Sequence, residues 1–137
     1  MSEASQRASE SASQRGRTRS YRDLIAWQKA MLLVRSVYVL SESFPSSERY
    51  GLTSQMRRSA VSVPSNIAEG HGRLSDRYLR NFLVTARGSL FELETQVLLS
   101  VDLGFAKSEG ADGVLSQTAE VSRILNGLLK TLEADEA

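Results

Sequence analysis

The sequence predicts an all-α protein, an up-down-up-down antiparallel four-helix bundle whose second helix is kinked at a proline. Four segments repeat apolar residues at spacings of three and four, the period of a helix with one buried face. Short breaks rich in Pro, Gly and Ser separate them, and short connections make consecutive helices antiparallel neighbours. No alternating strand pattern competes. A chain of 137 residues is long enough for one domain with its own core.

Residues 1–19 are mostly Ser, Gln, Arg, Ala and Glu without apolar periodicity, so a disordered tail is expected before a bundle domain at 20–137. Arg15, Arg17 and Arg19 can touch phosphate, but a short Ser/Arg tail is more often simply solvated. The first helix should run from about Asp23, whose carboxylate suits a helix N-terminus, to Ser43. Leu24, Trp27, Met31, Val34 and Tyr38 form its core stripe. Ile25, Leu32 and Val39 fall outside that stripe, as do Leu33, Val37 and Leu40. A helix apolar around most of its circumference is buried on more than one side, which in so small a domain predicts contact with a second copy. Trp27 is the best anchor for that contact and equally a plain core residue.

Pro45 with Ser46 and Ser47 breaks the chain and offers N-caps. The second helix should then run from about Glu48 toward Ile67, with Leu52, Met56, Ala60, Val63 and Ile67 inward. Pro64 is expected to kink or end it, with Ser62, Ser65 and Asn66 placed to satisfy the carbonyls set free. Gly70-His71-Gly72 reads as the reversal. Ser75 caps a third helix, Asp76 to Leu103, whose seam is Leu79, Leu83, Ala86, Leu90, Leu93 and Val97. The small Ala86, Gly88 and Ser89 invite close approach of a neighbouring helix, and Gly104 is the stop. Asp112 should cap a fourth helix carrying Val114, Thr118, Val121, Leu125, Leu128 and Leu132, its face broadened by Ile124 and Leu129, and ending in a frayed acidic tip.

Several function classes are disfavoured at once. Without cysteine there are no disulfides, thiolate metal sites or cysteine nucleophiles, which fits a reducing compartment. No apolar run is long enough to span a bilayer and no signal-peptide order opens the chain, so the expected location is the cytoplasm. The single histidine, His71, has no sequence partner for acid–base or nucleophilic work. Glu-x-x-His pairs of a bundle metal site are missing, and Glu92 and Glu94 project in different directions. The expectation is a protein that is not an enzyme and has neither cofactor nor metal.

Charge is polarised rather than balanced. Residues 57–87 carry +4 and residues 92–137 carry −6, within a net charge of +1. On the third helix Arg73, Arg77, Arg80 and Arg87 cluster on one flank, and Arg57 and Arg58 can extend the patch. Guanidiniums a turn apart suit a phosphate backbone, each gripping through paired donors. Such a row is more often a solvated face or one that makes salt bridges between subunits, given the acidic segment available to pair with it. The alternative is a structural or adaptor ring that binds a partner protein rather than nucleic acid. Few aromatics interleave with these arginines, so base stacking has no support here.

Trp27-Gln28-Lys29-Ala30, Gln55-Met56-Arg57-Arg58, Ser62 through Gly70 with its Asn-Ile-Ala-Glu-Gly string, and Gly88 through Gln96 carry a family likeness. The sequence resembles the small bacterial four-helix-bundle proteins encoded in intervening sequences of 23S ribosomal RNA genes. These are related more distantly to accessory proteins of diversity-generating retroelements. The likeness is good over about 21–105 and looser in the last helix. It implies subunits closed into a ring, typically a pentamer, a role in binding RNA or DNA, and a partner protein alongside. It brings no catalytic residues. Ser62, Asn66 and Glu69 match the signature and are expected to hold the turn around Pro64 together rather than contact a ligand.

Overall fold

The computed structural model describes residues 20–73 and 75–136, so the tail expected at 1–19 lies outside the described residues. Four helices make up the fold, α1 (Ile25–Ser41), α2 (Leu52–His71), α3 (Asp76–Asp102) and α4 (Ser108–Glu136), and no strand occurs among the described residues. Each helix packs against its sequence neighbour and α1 packs against α4, leaving α1 diagonal to α3 and α2 diagonal to α4. Ser62 meets Ser89 while Gly70, farther along α2, meets Phe82, nearer the start of α3, so these two run antiparallel. Lys29 pairs with Glu120 and Leu40 lies against Gly110, which makes α1 and α4 antiparallel as well. The all-helical bundle is as the apolar spacing predicts.

The seams of α2 and α3 are those expected. Met56, Ala60, Val63 and Ile67 are fully enclosed, as are Leu83, Ala86, Leu90, Leu93 and Val97. On α1 the phase differs. Its core line is Ala26, Ala30, Leu33 and Val37, whereas Met31 and Tyr38, expected inside, stand exposed. The bulky side chains suggested a stripe, but the bundle turns the small alanines inward and lets Trp27 and Val34 pack half-buried at the margin. On α4 Val121, Leu125 and Leu132 are buried as expected, Leu129, which broadens that face, is buried with them, and Leu128 is only half-buried.

The helix ends also differ from expectation in instructive ways. Asp23 belongs to a 3-10 turn, Tyr21–Asp23, capped by Ser20, and α1 begins at Ile25. Ser46–Glu48 forms a second 3-10 turn, and α2 starts at Leu52. Neither Ser46 nor Ser47 caps α2; Glu48 does, its Oε1 accepting from the Leu52 N–H at 3.0 Å. α2 runs through Pro64 to His71, so Pro64 does not end it. Proline at 64 deprives the Ala60 carbonyl of its donor, yet the Asn66 side chain serves Ser62 instead, giving to its carbonyl at 2.7 Å and its Oγ at 3.0 Å. α4 begins at Ser108, ahead of the expected Asp112, and stays helical to Glu136.

Two glycines change meaning in the structure. Gly70 and His71 are helical and Gly72 has an ordinary φ of −75°, so this triplet is not a special backbone turn. Gly70 is there for packing, because a Cβ on it would lie 2.8 Å from Phe82 Cβ. Gly88, expected at a close approach, is exposed with nothing near its missing Cβ. Gly104, by contrast, takes φ 77° after the C-cap of α3, the left-handed stop expected there.

Candidate nucleic-acid interface

The site begins with the Glu48 cap. Its carboxylate is drawn onto the Leu52 N–H, and a Cβ at residue 51 would lie 2.8 Å from that same Oε1, so a larger residue there would have to displace the cap. Arg49 and Tyr50 are left outside the turn, with Tyr50 87% exposed and the Arg49 guanidinium 5.5 Å from its ring. Arg57 follows on α2 and reaches across to α1. Its Nε donates to Ser41 Oγ at 2.9 Å and its guanidinium lies 4.4 Å from the centre of the Tyr38 ring. Ser41 in turn donates to the Val37 carbonyl at 2.8 Å. The Arg57 head is therefore held from two sides before any ligand arrives.

These residues, with Arg58, Thr53, Ser54, Val61 and Ser62, line one open groove of about 620 Å³ between α1 and α2. Three arginines and two tyrosines face it, and no carboxylate is among its lining residues. The expectation that few aromatics interleave with the arginines is corrected here. Tyr38 meets Arg57 only when α1 and α2 fold back together, whereas Tyr50 meets its chain neighbour Arg49. Tyr38 was missed for that reason; Arg49 and Tyr50 were missed although their adjacency was a local signal.

The six arginines singled out from the sequence do not form one surface. Arg57 lies in the α1/α2 groove, and Arg58 lines both this groove and a recess between α2 and α3. Arg73 precedes the Ser75 cap and so is not on α3; it bonds Glu69 Oε1 at 3.0 Å and sits over the Phe82 ring. Arg77 is exposed on the first turn of α3, while Arg80 is half-buried with its Nε enclosed and unpartnered. Arg87 turns toward α4, donating to Asn126 Oδ1 at 3.2 Å beside Arg123 and Lys130.

Of the four residues expected at a contact between copies, Ile25, Leu32 and Val39 are 53%, 50% and 62% exposed and fall on one line of α1. Trp27 is half-buried, edge-on to Tyr21 with ring centres 5.4 Å apart. α3 bears a second exposed line at the same seven-residue interval, Val84, Phe91 and Leu98. His71 is partly enclosed at the end of α2, and burial lowers its pKa from the ordinary value while Asp23 pulls the other way. Among the described residues no three His, Asp or Glu side chains gather as a metal site would need, and no helix is long and apolar enough to cross a membrane.

A helical bundle with a basic, aromatic groove and two exposed apolar lines defines a class by shape rather than by reaction. Residues 22–127 match the model of the family described as 23S rRNA-intervening sequence protein. The chain belongs to that family. Its fold is similar to a crystal structure of a protein with unknown function from the S23 ribosomal protein family of Bacteroides thetaiotaomicron VPI-5482. That likeness has a TM-score of 0.70 at 18% identity, over 77% of this chain and 99% of that one, and speaks for the fold alone. None of the curated proteins matches the chain in sequence. Neither description names an enzymatic activity.

Proposed function

We propose that this protein is a non-enzymatic homo-oligomer that closes into a ring and binds RNA or DNA along the groove between α1 and α2. The observation that carries the binding is the groove's makeup. Arg49, Arg57 and Arg58 stand with Tyr38 and Tyr50 around one open channel without a carboxylate in its lining. Arginines grip phosphates, and the exposed Tyr50 ring together with the Arg57 guanidinium stacked on Tyr38 offers planar faces, the pairing found where single strands are held without sequence preference. Binding that is undetectable at low salt would remove this reading; a fluorescence-anisotropy titration with a labelled single strand tests it.

What supports the ring is that the two exposed apolar lines differ and lie at diagonal corners. A two-fold dimer joins like to like, whereas two unlike faces on opposite sides join head to tail and close by rotation. Five subunits is the number the family resemblance implies. The cytoplasm as location, no membrane association, and a partner protein riding on the ring belong to the same reading. A bend of α2 at Pro64 belongs to it too, because the pyrrolidine ring crowds the Ala60 carbonyl.

Arg80 and Arg87 favour a second role, as contacts between subunits. At about 100° per residue both fall within about 40° of the line through Val84, Phe91 and Leu98. They border the apolar line on α3 along one side, and neither lines the α1/α2 groove. The arginines thus divide, with Arg57 and Arg58 for nucleic acid and Arg80 and Arg87 for assembly.

A further inference from the structure

The exposed apolar lines of α1 and α3 match in spacing, direction and level. Ile25, Leu32 and Val39, like Val84, Phe91 and Leu98, recur every seventh residue, the interval of a seam between two aligned helices. Arg57, early on α2, bonds Ser41 at the end of α1, and His71, last on α2, feels Asp23 just before α1. α1 is therefore antiparallel to α2, as α3 is, and α1 and α3 point the same way. Lys29 pairs with Glu120, and six residues farther along α4 Asn126 takes the Arg87 bond; by that route Phe91 stands level with about residue 27 of α1. Ser41 takes the Arg57 bond, and five residues farther along α2 Ser62 bonds Ser89; by that route Phe91 stands level with about residue 38. Leu32 lies midway between the two. Neighbours joined along the whole length of both lines keep their helices aligned only by rotating about an axis parallel to the bundle. Such a rotation shifts nothing along that axis, so residues that meet share one level.

The lines also lean the same way. On α1 the row directly opposite the core passes through Gln28 and Arg35, and the apolar line stands about 50° from it on the side of Lys29, which pairs with α4. On α3 the opposite row passes through Gly88 and Thr95, and the apolar line stands about 60° from it on the side of Arg87, which also bonds α4. The two faces thus enclose well under 180° on the α4 side, and wedges of that shape close with α4 inside and α2 outside. Charge at the middle of the seam agrees. Arg35, one turn beyond Leu32, and Glu92 and Glu94, beside Phe91, make no ion pair with any described residue. Leu32 against Phe91 brings that cation to the level of those carboxylates.

We propose that each apolar line is covered by the other line on a second copy of this chain, with Ile25 on Val84, Leu32 on Phe91 and Val39 on Leu98. α4 then walls the lumen, and the α1/α2 grooves open on the outer wall, where a long strand reaches them without threading the ring. This inference rests on the ring reading and orients it.

The chain has no cysteine, so cysteines introduced into the full-length protein report its contacts directly. Leu32→Cys combined with Phe91→Cys, both at exposed positions, should under mild oxidation give a ladder of linked chains ending at one closed species on a non-reducing gel. Val39→Cys combined with Val84→Cys uses the same two lines about 20 Å out of register and should stay as single chains, as should each substitution alone. Spin labels at Ser116→Cys and Ser65→Cys, on the exposed faces of α4 and α2, read the orientation. Diagonal helices lie about 11–14 Å apart, so in a five-membered ring labels on neighbouring subunits should be about 15 Å closer at position 116 than at 65. A ladder from the out-of-register pair, or dimers from Leu32→Cys alone, overturn the seam. Equal label distances, or a shorter one at 65, overturn the inward α4. A ring that the Leu32→Cys, Phe91→Cys pair leaves unlinked overturns the seam while the ring stands, whereas a parent protein that is monomeric by light scattering overturns both.

Discussion

Three arginines facing one groove set a magnitude for how binding should respond to salt. If each neutralises one phosphate of a single strand, the slope of log affinity against log salt is about −0.7 per contact, or about −2 in all. Between 50 and 200 mM salt that amounts to a loss of about 20-fold. Replacing Arg57 and Arg58 together with glutamine leaves Arg49 alone, so the slope should flatten to about −0.7 and the loss over the same range to about threefold. Arg123→Gln, an exposed cation on the α3/α4 side, should leave the slope where it was. Anisotropy titrations at four salt concentrations measure all three proteins, with a circular-dichroism melt to confirm that losing the Arg57–Ser41 bond has not unfolded the variant. A slope that the double substitution leaves unchanged would refute the groove as the place where phosphates are held.

Other predictions follow from packing and assembly. Gly70→Ala gains about 1 kcal/mol of helix propensity but forces a Cβ to within 2.8 Å of Phe82 Cβ, an overpacking that costs about 1–3 kcal/mol, so thermal melting should move down. Gly127→Ala, with nothing within 4 Å of the new Cβ, should move melting up by the equivalent of about 0.5–1 kcal/mol; the pair fails if both shifts share a sign. Leu32→Glu and Phe91→Glu should each convert a ring of about 75 kDa, five chains of 15.1 kDa, to monomers by light scattering. A monomeric parent protein, or full rings in both variants, would remove the two-faced assembly. His71 has its folded pKa below the ordinary 6.5, so the unfolded chain binds the proton more readily and stability falls as pH drops below about 6.5. His71→Asn should flatten that fall in melts between pH 7.5 and 5.5.

Much of the fold was legible because it depends on periodicity alone. The Leu79–Val97 seam and the Gly104 stop need only helix pitch and the left-handed preference of glycine, and both are where the sequence puts them. The errors share a cause. On α1 the core was assigned to the bulkiest side chains, but which line faces inward is decided by how closely neighbouring helices approach, and Ala26 and Ala30 allow that approach. Gly70 was read through its own backbone freedom, whereas its reason is Phe82 on another helix. The groove was half legible. Arg57 and Arg58 were visible as charges, but the Tyr38 ring that Arg57 covers lies nineteen residues away, and no local pattern links them. A row of arginines counted along one helix likewise carries no information on which groove each enters; Arg87 turns to Asn126 and Arg73 back to Glu69.

The placement of small polar residues in α2 and α3 connects these threads. A bundle built for stability alone would fill the α2/α3 seam with aliphatic side chains, as it does at Val63, Leu90 and Leu93. Instead Ser59, Ser89 and Gln96 are buried along its open edge, and the Asn66–Ser62–Ser89 bonds join the two helices there. Shared hydroxyls fix the axial register of α2 against α3, since a slip of one residue would separate Ser62 from Ser89. That register decides where Arg58 stands relative to Glu92 and Gln96. The polar bonds therefore serve the fold, the structural part expected of Ser62 and Asn66. Ser62→Ala should consequently loosen the helix pair by about 1 kcal/mol, read as a lower melting temperature, without altering the salt slope of the neighbouring groove. A variant that melts at the parent temperature would show that the register is set by the aliphatic seam instead.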